Sequence, residues 1–183
     1  MAGKNSPATA SADAAFVIAR AFDAPRDLVF RVWTQPEHLK QWFSPKGFTV
    51  LAAKMDLRPG GVYHYGMRAP DGKEMWGKWI FREIVAPERL VFINCFSDEK
   101  GGTTRPPFFE DWPLEMLSTI TFAELGGRTT VTISWAPHNA TEAERKTFDA
   151  GRPSMQQGWT GTLDQLAAHL ANTLANASKG KTR

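Results

Sequence analysis

The chain has 183 residues, enough for one domain with a substantial core and short for two. Its 42% hydrophobic, 11% aromatic and 22% charged residues are those of a folded protein, neither disordered nor fibrous. No apolar run is long enough to span a membrane, and the N-terminal stretch lacks the apolar middle of a secretory signal. Cys95, the single cysteine, excludes an intrachain disulfide and a cysteine-cluster metal site. A cytoplasmic protein with no membrane partner is therefore expected. The formal charge of +3 equals that of Lys179, Lys181 and Arg183 in the tail, and Lys4 cancels Asp13, so the body is neutral. A phosphate-binding surface needs a concentrated basic patch. No nucleic-acid partner is expected.

Residues 1–14 and 177–183 are small and polar and read as disordered ends, the second of them basic, flanking one domain over 15–176. The first element is a strand from Phe16 to Phe22. Asp23 is placed to cap the helix that follows, with Pro25 in its first turn. Leu28, Val29, Val32 and Trp33 recur there at helical spacing, and Pro36 to Phe43 reads as a second short helix. Strands then follow at Phe48–Lys54, Gly61–Ala69, Met75–Val85, Arg89–Phe96, Leu114–Ala123 and Thr129–Trp135, divided by turn residues. Connectors this short force antiparallel pairing. A five-residue loop from Pro70 to Glu74 would pair Ala69 with Met75 and set Tyr65 opposite Trp79. The longer stretch from Ser97 to Trp112 exceeds a hairpin turn and reads as functional or mobile.

Thr141 and Glu144 form a capping box. Gly151-Arg152-Pro153 interrupts the helix they start, and Met155, Trp159, Leu163, Leu166, Leu170 and Leu174 then make one apolar stripe. The order is strand, two short helices, six strands, long helix. A seven-stranded antiparallel sheet must cover its apolar face, and only the C-terminal helix is long enough. The fold class read from this is α+β, a helix-grip in which the sheet curls around that helix.

The residues also carry a resemblance. They include Ala24-Pro25 with Val29-Phe30 and Trp33-Thr34, Pro36-Glu37-His38-Leu39, Trp42-Phe43, Arg58-Pro59-Gly60-Gly61, and Met67 with Pro70-Asp71-Gly72. Arg82-Glu83-Ile84, Pro87-Glu88-Arg89-Leu90, Phe96-Ser97-Asp98-Glu99, Trp112-Pro113-Leu114-Glu115-Met116 and Gln157-Gly158-Trp159 complete it. In this order, over about residues 15–174, the chain resembles the START-like helix-grip superfamily. Within it the chain is similar to bacterial proteins like the C-terminal domain of the heat-shock-protein-90 ATPase activator. The resemblance implies a fold more firmly than an activity, since such proteins carry apolar ligands, cyclise polyketides or contact a chaperone. Its closest type tends to carry a histidine before proline where Arg105-Pro106 stands here, which weakens any role for a loop histidine.

Dedicated chemistry is hard to assemble from these residues. His38, His64, His138 and His169 show no ligand spacing, so no metal is expected. His38 reads as a surface or capping residue. No nucleophile elbow or phosphate loop is present; Cys95 reads as a small buried hydrophobe. No cofactor and no catalytic residue is assigned. The strand faces say more. Tyr63, Tyr65 and Met67 share one face; Leu90, Phe92, Asn94 and Phe96 share another. Leu114, Met116, Ser118, Ile120 and Phe122, and then Val131, Ile133 and Trp135, form further inward rows. Asn94 and Ser118 are polar among apolar neighbours, and each needs a partner or a ligand.

The expected function is binding of a small, mainly apolar molecule between sheet and long helix. The expected lining is Trp33, Trp42, Tyr63, Tyr65, Met67, Trp79, Phe81, Phe92, Asn94, Phe96, Trp112, Met116, Ser118, Met155, Gly158 and Trp159. Gly158 and Gly161 are expected to face the cavity wall or a close neighbour. The alternatives are a polyketide cyclase-like enzyme using Tyr63, Tyr65 or Glu83, or a protein that stimulates a chaperone ATPase, which the family resemblance alone suggests. Monomer and homodimer both remain open.

Overall fold

A computed structural model describes residues 15–107 and 109–180. Strand β1 (Phe16–Phe22) leads into helices α1 (Arg26–Thr34) and α2 (Pro36–Trp42). Strands β2 (Thr49–Met55), β3 (Val62–Arg68), β4 (Glu74–Val85), β5 (Arg89–Ser97), β6 (Thr103–Thr104), β7 (Glu115–Leu125) and β8 (Arg128–His138) follow. Helices α3 (Glu142–Ala150) and α4 (Arg152–Gly180) close the chain. The antiparallel sheet runs β1-β8-β7-β5-β4-β3-β2, with the two-residue β6 paired to the end of β5. These are the seven strands the sequence implies, plus one too short to carry a pattern. Register breaks at Val50/Ala52 and Phe81/Glu83 are bulges of the kind that add twist and help a sheet curl. The expected disordered segment at 1–14 lies outside the described residues, and α4 continues to Gly180.

Helix ends follow local chemistry. Pro36 occupies the first turn of α2, where its missing N–H costs nothing. The Thr141 hydroxyl accepts from the Glu144 N–H while the Glu144 carboxylate accepts from the Thr141 N–H, completing the capping box. Asp23 does not cap α1, in contrast to the sequence reading. Pro25 holds the cap position, Glu124 at the end of β7 accepts from the Arg26 N–H, and Asp23 pairs with Arg128. At the β7–β8 turn Gly126 and Gly127 both take positive φ, +59° and +76°, as a two-residue hairpin requires.

The β3–β4 hairpin corrects the expected register. Tyr65 faces Gly77, Tyr63 faces Trp79 and Met67 faces Met75, a slip of two residues that keeps the same faces inward. Two features set it. Gly72, at φ +87°, lets Pro70-Asp71-Gly72 close a tight loop, with the Ala69 N–H donating to the Lys73 carbonyl. On the ladder, each glycine sits beneath an aromatic ring of the other strand. A Cβ on Gly77 would stand 2.4 Å from the Tyr65 hydroxyl, and one on Gly66 2.6 Å from the Trp76 ring. The pairing Tyr65–Gly77 and Gly66–Trp76 places one ring over a glycine on each face of the hairpin.

Helix α4 lies in the curve of the sheet, with Met155, Trp159, Leu163, Leu166 and Leu170 buried. α1 adds Val29, Val32 and Trp33, all at most 1% exposed. Trp33 stacks on Trp159 at 6.2 Å and on Trp79 at 6.3 Å, and Trp79 stacks on Phe92 at 4.5 Å. This column of rings joins α4, α1, β4 and β5 and fills one half of the grip.

Candidate functional site

The other half of the grip is open. Between α4, β3–β5, β7 and the turn after α2 lies a cavity of about 620 Å³. Its deep wall is made by buried Met67, Trp112, Met116, Met155 and Trp159, with half-buried Tyr65, Asn94, Phe96, Trp135 and Phe43. Its mouth is made by the exposed residues Pro45, Lys46, Gln157, Gly158, Gly161 and Asp164, with Met75, Trp76, Thr162 and Gln165 beside them. Trp135 meets Trp159 edge-on at 5.3 Å, and Phe43 meets Tyr65 at 5.3 Å and Trp79 at 5.1 Å. The Phe43 ring thus stands between the packed column and the open space.

Of the residues expected to line a site, Tyr65, Met67, Asn94, Phe96, Trp112, Met116, Met155, Gly158 and Trp159 border this cavity. Trp33, Trp42, Tyr63, Trp79, Phe81, Phe92 and Ser118 do not; they are at most 2% exposed and make up the solid core. Inward direction does not separate the two groups, because packed ring and cavity wall share the same rows. Packing by other rings does: Trp33 of α1 stacks on Trp79, and Trp79 in turn packs Phe92 and Tyr63, while Trp159, on another side of Trp33, is the edge at which the column meets the open space. Trp135, which the inward rows identify, and Phe43, Met75 and Trp76 join the wall. Leu114, expected to point inward, precedes β7 and is 41% exposed.

The polar groups sort by partner. Asn94 makes no side-chain hydrogen bond among the described residues and presents its amide in the apolar wall. Ser118 is wholly buried and its hydroxyl also finds no partner. Gln165 donates to the carbonyls of Trp42 and Ser44, tying α4 to the turn at the mouth. Asp164 is held by Arg20 of β1 at 2.5 Å. Burial raises the Tyr63 and Tyr65 hydroxyls far above their ordinary value, so neither ionises near neutral pH. Glu83, the carboxylate of the enzyme alternative, is bound to Arg89 and does not border the cavity. Cys95 is buried and its thiol is pushed up by desolvation, as its reading as a hydrophobe implies.

Gly158 and Gly161 lie on the mouth with nothing within 4 Å of a built Cβ. Close packing, one of the reasons considered for them, is excluded; room at the mouth remains. Another correction concerns His38, whose Nδ1 lies 2.8 Å from Nε2 of His169. The fold joins α2 to α4 through a histidine pair whose members are far apart in the chain. Among the described residues no group of three metal-ligating side chains converges.

Known proteins agree with this architecture. The solution structure of a protein from Arthrobacter aurescens is 29% identical over 86% of each chain, with a TM-score of 0.69. Protein Ms6760 from Mycobacterium smegmatis is 27% identical, covers 84% of this chain and 88% of its own, and has a TM-score of 0.66. A solution structure from Staphylococcus epidermidis is 28% identical over 86% of this chain and 89% of its own, with a TM-score of 0.65. No curated protein matches the chain. The family model described as activator of Hsp90 ATPase homolog 1-like protein matches residues 23–171, from just after β1 through α1, the remaining strands and about two thirds of α4, and the chain belongs to that family.

Proposed function

We propose that the protein binds a small, mainly apolar molecule in the cavity between its sheet and α4. One observation carries this reading: about 620 Å³ of open space, walled largely by aromatic and methionine side chains, in an otherwise packed core. That volume falls within the roughly 300–1,000 Å³ range of small-molecule sites. A folded interior is normally close-packed, so a cleft of this size reaching from an exposed mouth into the apolar core supports a ligand as its occupant. A single unpaired amide in the apolar wall suits a ligand that needs orienting as well as burying. The chaperone activity in the family's description would belong to a surface rather than to this cavity, and likeness of fold alone does not transfer it.

Native mass spectrometry on protein purified without detergent tests the proposal. A retained small molecule that is released on unfolding is expected. A bare chain mass, together with failure of added apolar compounds to form a complex, would refute it.

A further inference from the structure

The cavity's polar groups define the chemistry of its occupant beyond being apolar, an inference that rests on the ligand-binding reading above. At the mouth, Asp164 is neutralised by Arg20 at 2.5 Å, Gln165 is used by two backbone carbonyls, and the Thr162 hydroxyl donates to the Gly158 carbonyl. Lys46, on the turn between α2 and β2, is exposed, borders the same mouth and has no ion-pair partner among the described residues. The charge left available at the entrance is therefore positive. Inside, Asn94 offers a neutral amide, with both donors and an acceptor, between Phe92 and Phe96 along β5 and opposite Met116 of β7.

Desolvation decides which ligand group goes where. An anion taken to the apolar wall would lose its hydration without gaining a counter-charge, whereas at the mouth it keeps water and meets Lys46. A neutral hydroxyl or carbonyl is the group that Asn94 can satisfy. We infer that the ligand is an organic acid with an apolar body and an internal hydroxyl or carbonyl group. Its carboxylate sits at the mouth beside Lys46 and its internal oxygen meets the Asn94 amide.

Binding of cis-parinaric acid and its methyl ester, followed by fluorescence, tests the head group. 12-Hydroxystearate and stearate as competitors test the interior. The acid should bind roughly threefold tighter than the ester, as an exposed ion pair allows, with the preference shrinking in high salt. Lys46→Met should erase that preference and Lys46→Arg keep it. The hydroxylated acid should compete roughly fivefold better than the plain one, the worth of one buried hydrogen bond, and Asn94→Leu should level the two. Equal binding of acid and ester, or an unchanged preference in Lys46→Met, overturns the role of Lys46. Equal competition by the two stearates, or an unchanged preference in Asn94→Leu, overturns the role of Asn94. N-phenyl-1-naphthylamine, neutral and without an acid group, separates the two levels: it should bind wild type saturably, one to one. Failure to bind wild type defeats the cavity reading itself.

Discussion

Replacing Gly158 and Gly161 by alanine tests how α4 presents its open face. Both lie inside a 29-residue helix, and a Cβ at either position meets nothing within 4 Å. With no steric debit and no packing gain, the change reduces to helix propensity, about 1 kcal/mol in favour of alanine at each site. For a domain of this size each kcal/mol moves the melting temperature by roughly 2 to 4 °C. The two sites are i, i+3 neighbours on one helix face, so the double variant also measures any coupling between them. Differential scanning calorimetry of both single variants and the double reads this directly. Gly151 supplies the contrast, since its Cβ would lie 3.1 Å from the Trp112 ring, and alanine there should not bring the same gain. A fall in melting temperature for Gly158→Ala would show that this face is packed against something, and would refute the open mouth.

Other perturbations separate core from wall. Ser118→Ala should leave stability unchanged or raise it, because the buried hydroxyl it removes has no partner; a loss above about 1 kcal/mol in urea melts would reveal a hidden bond. Gly77→Ala should destabilise by about 1–3 kcal/mol, because its Cβ drives the Tyr65 ring out of place; unchanged stability would contradict the ring-over-glycine pairing. The His169 imidazole is held below its ordinary pKa by burial and by the charge of His38. A lowered pKa means that the folded state takes up protons less readily than the unfolded one, so stability present above about pH 6.5 should fall as pH drops below it. Urea midpoints at pH 7.5 and 5.5 check this, and His169→Gln should flatten the difference; an equal drop in that variant would place the sensitive group elsewhere.

The elements were legible where local chemistry decides them. Thr141 with Glu144, and the stripe from Met155 to Leu174, specify α3 and α4 without tertiary help, and Pro36 marks α2. The β3–β4 register was not legible from loop length, because Gly72 in a left-handed conformation shortens the turn. The two aromatic–glycine pairs, Tyr65–Gly66 and Trp76–Gly77, hold the missing signal: each ring must find the other strand's glycine. Alternation could tell that Trp79, Phe92 and Phe96 point inward, but not that the first two pack against each other and the third faces space. That division depends on Trp33 arriving from another element. His38 and His169 met for the same reason, through the docking of α2 on α4.

The most direct measurement of the central claim is a fluorescence titration of the folded protein with N-phenyl-1-naphthylamine, for wild type and for Met116→Trp. Met116 is buried at the deep wall, and the larger ring would occupy part of the cavity. Circular dichroism confirms that the variant is folded. Binding between sheet and α4 predicts saturable one-to-one enhancement for wild type and a clear loss of affinity in the variant. No saturable binding to folded wild type, or equal binding to both proteins, would contradict it.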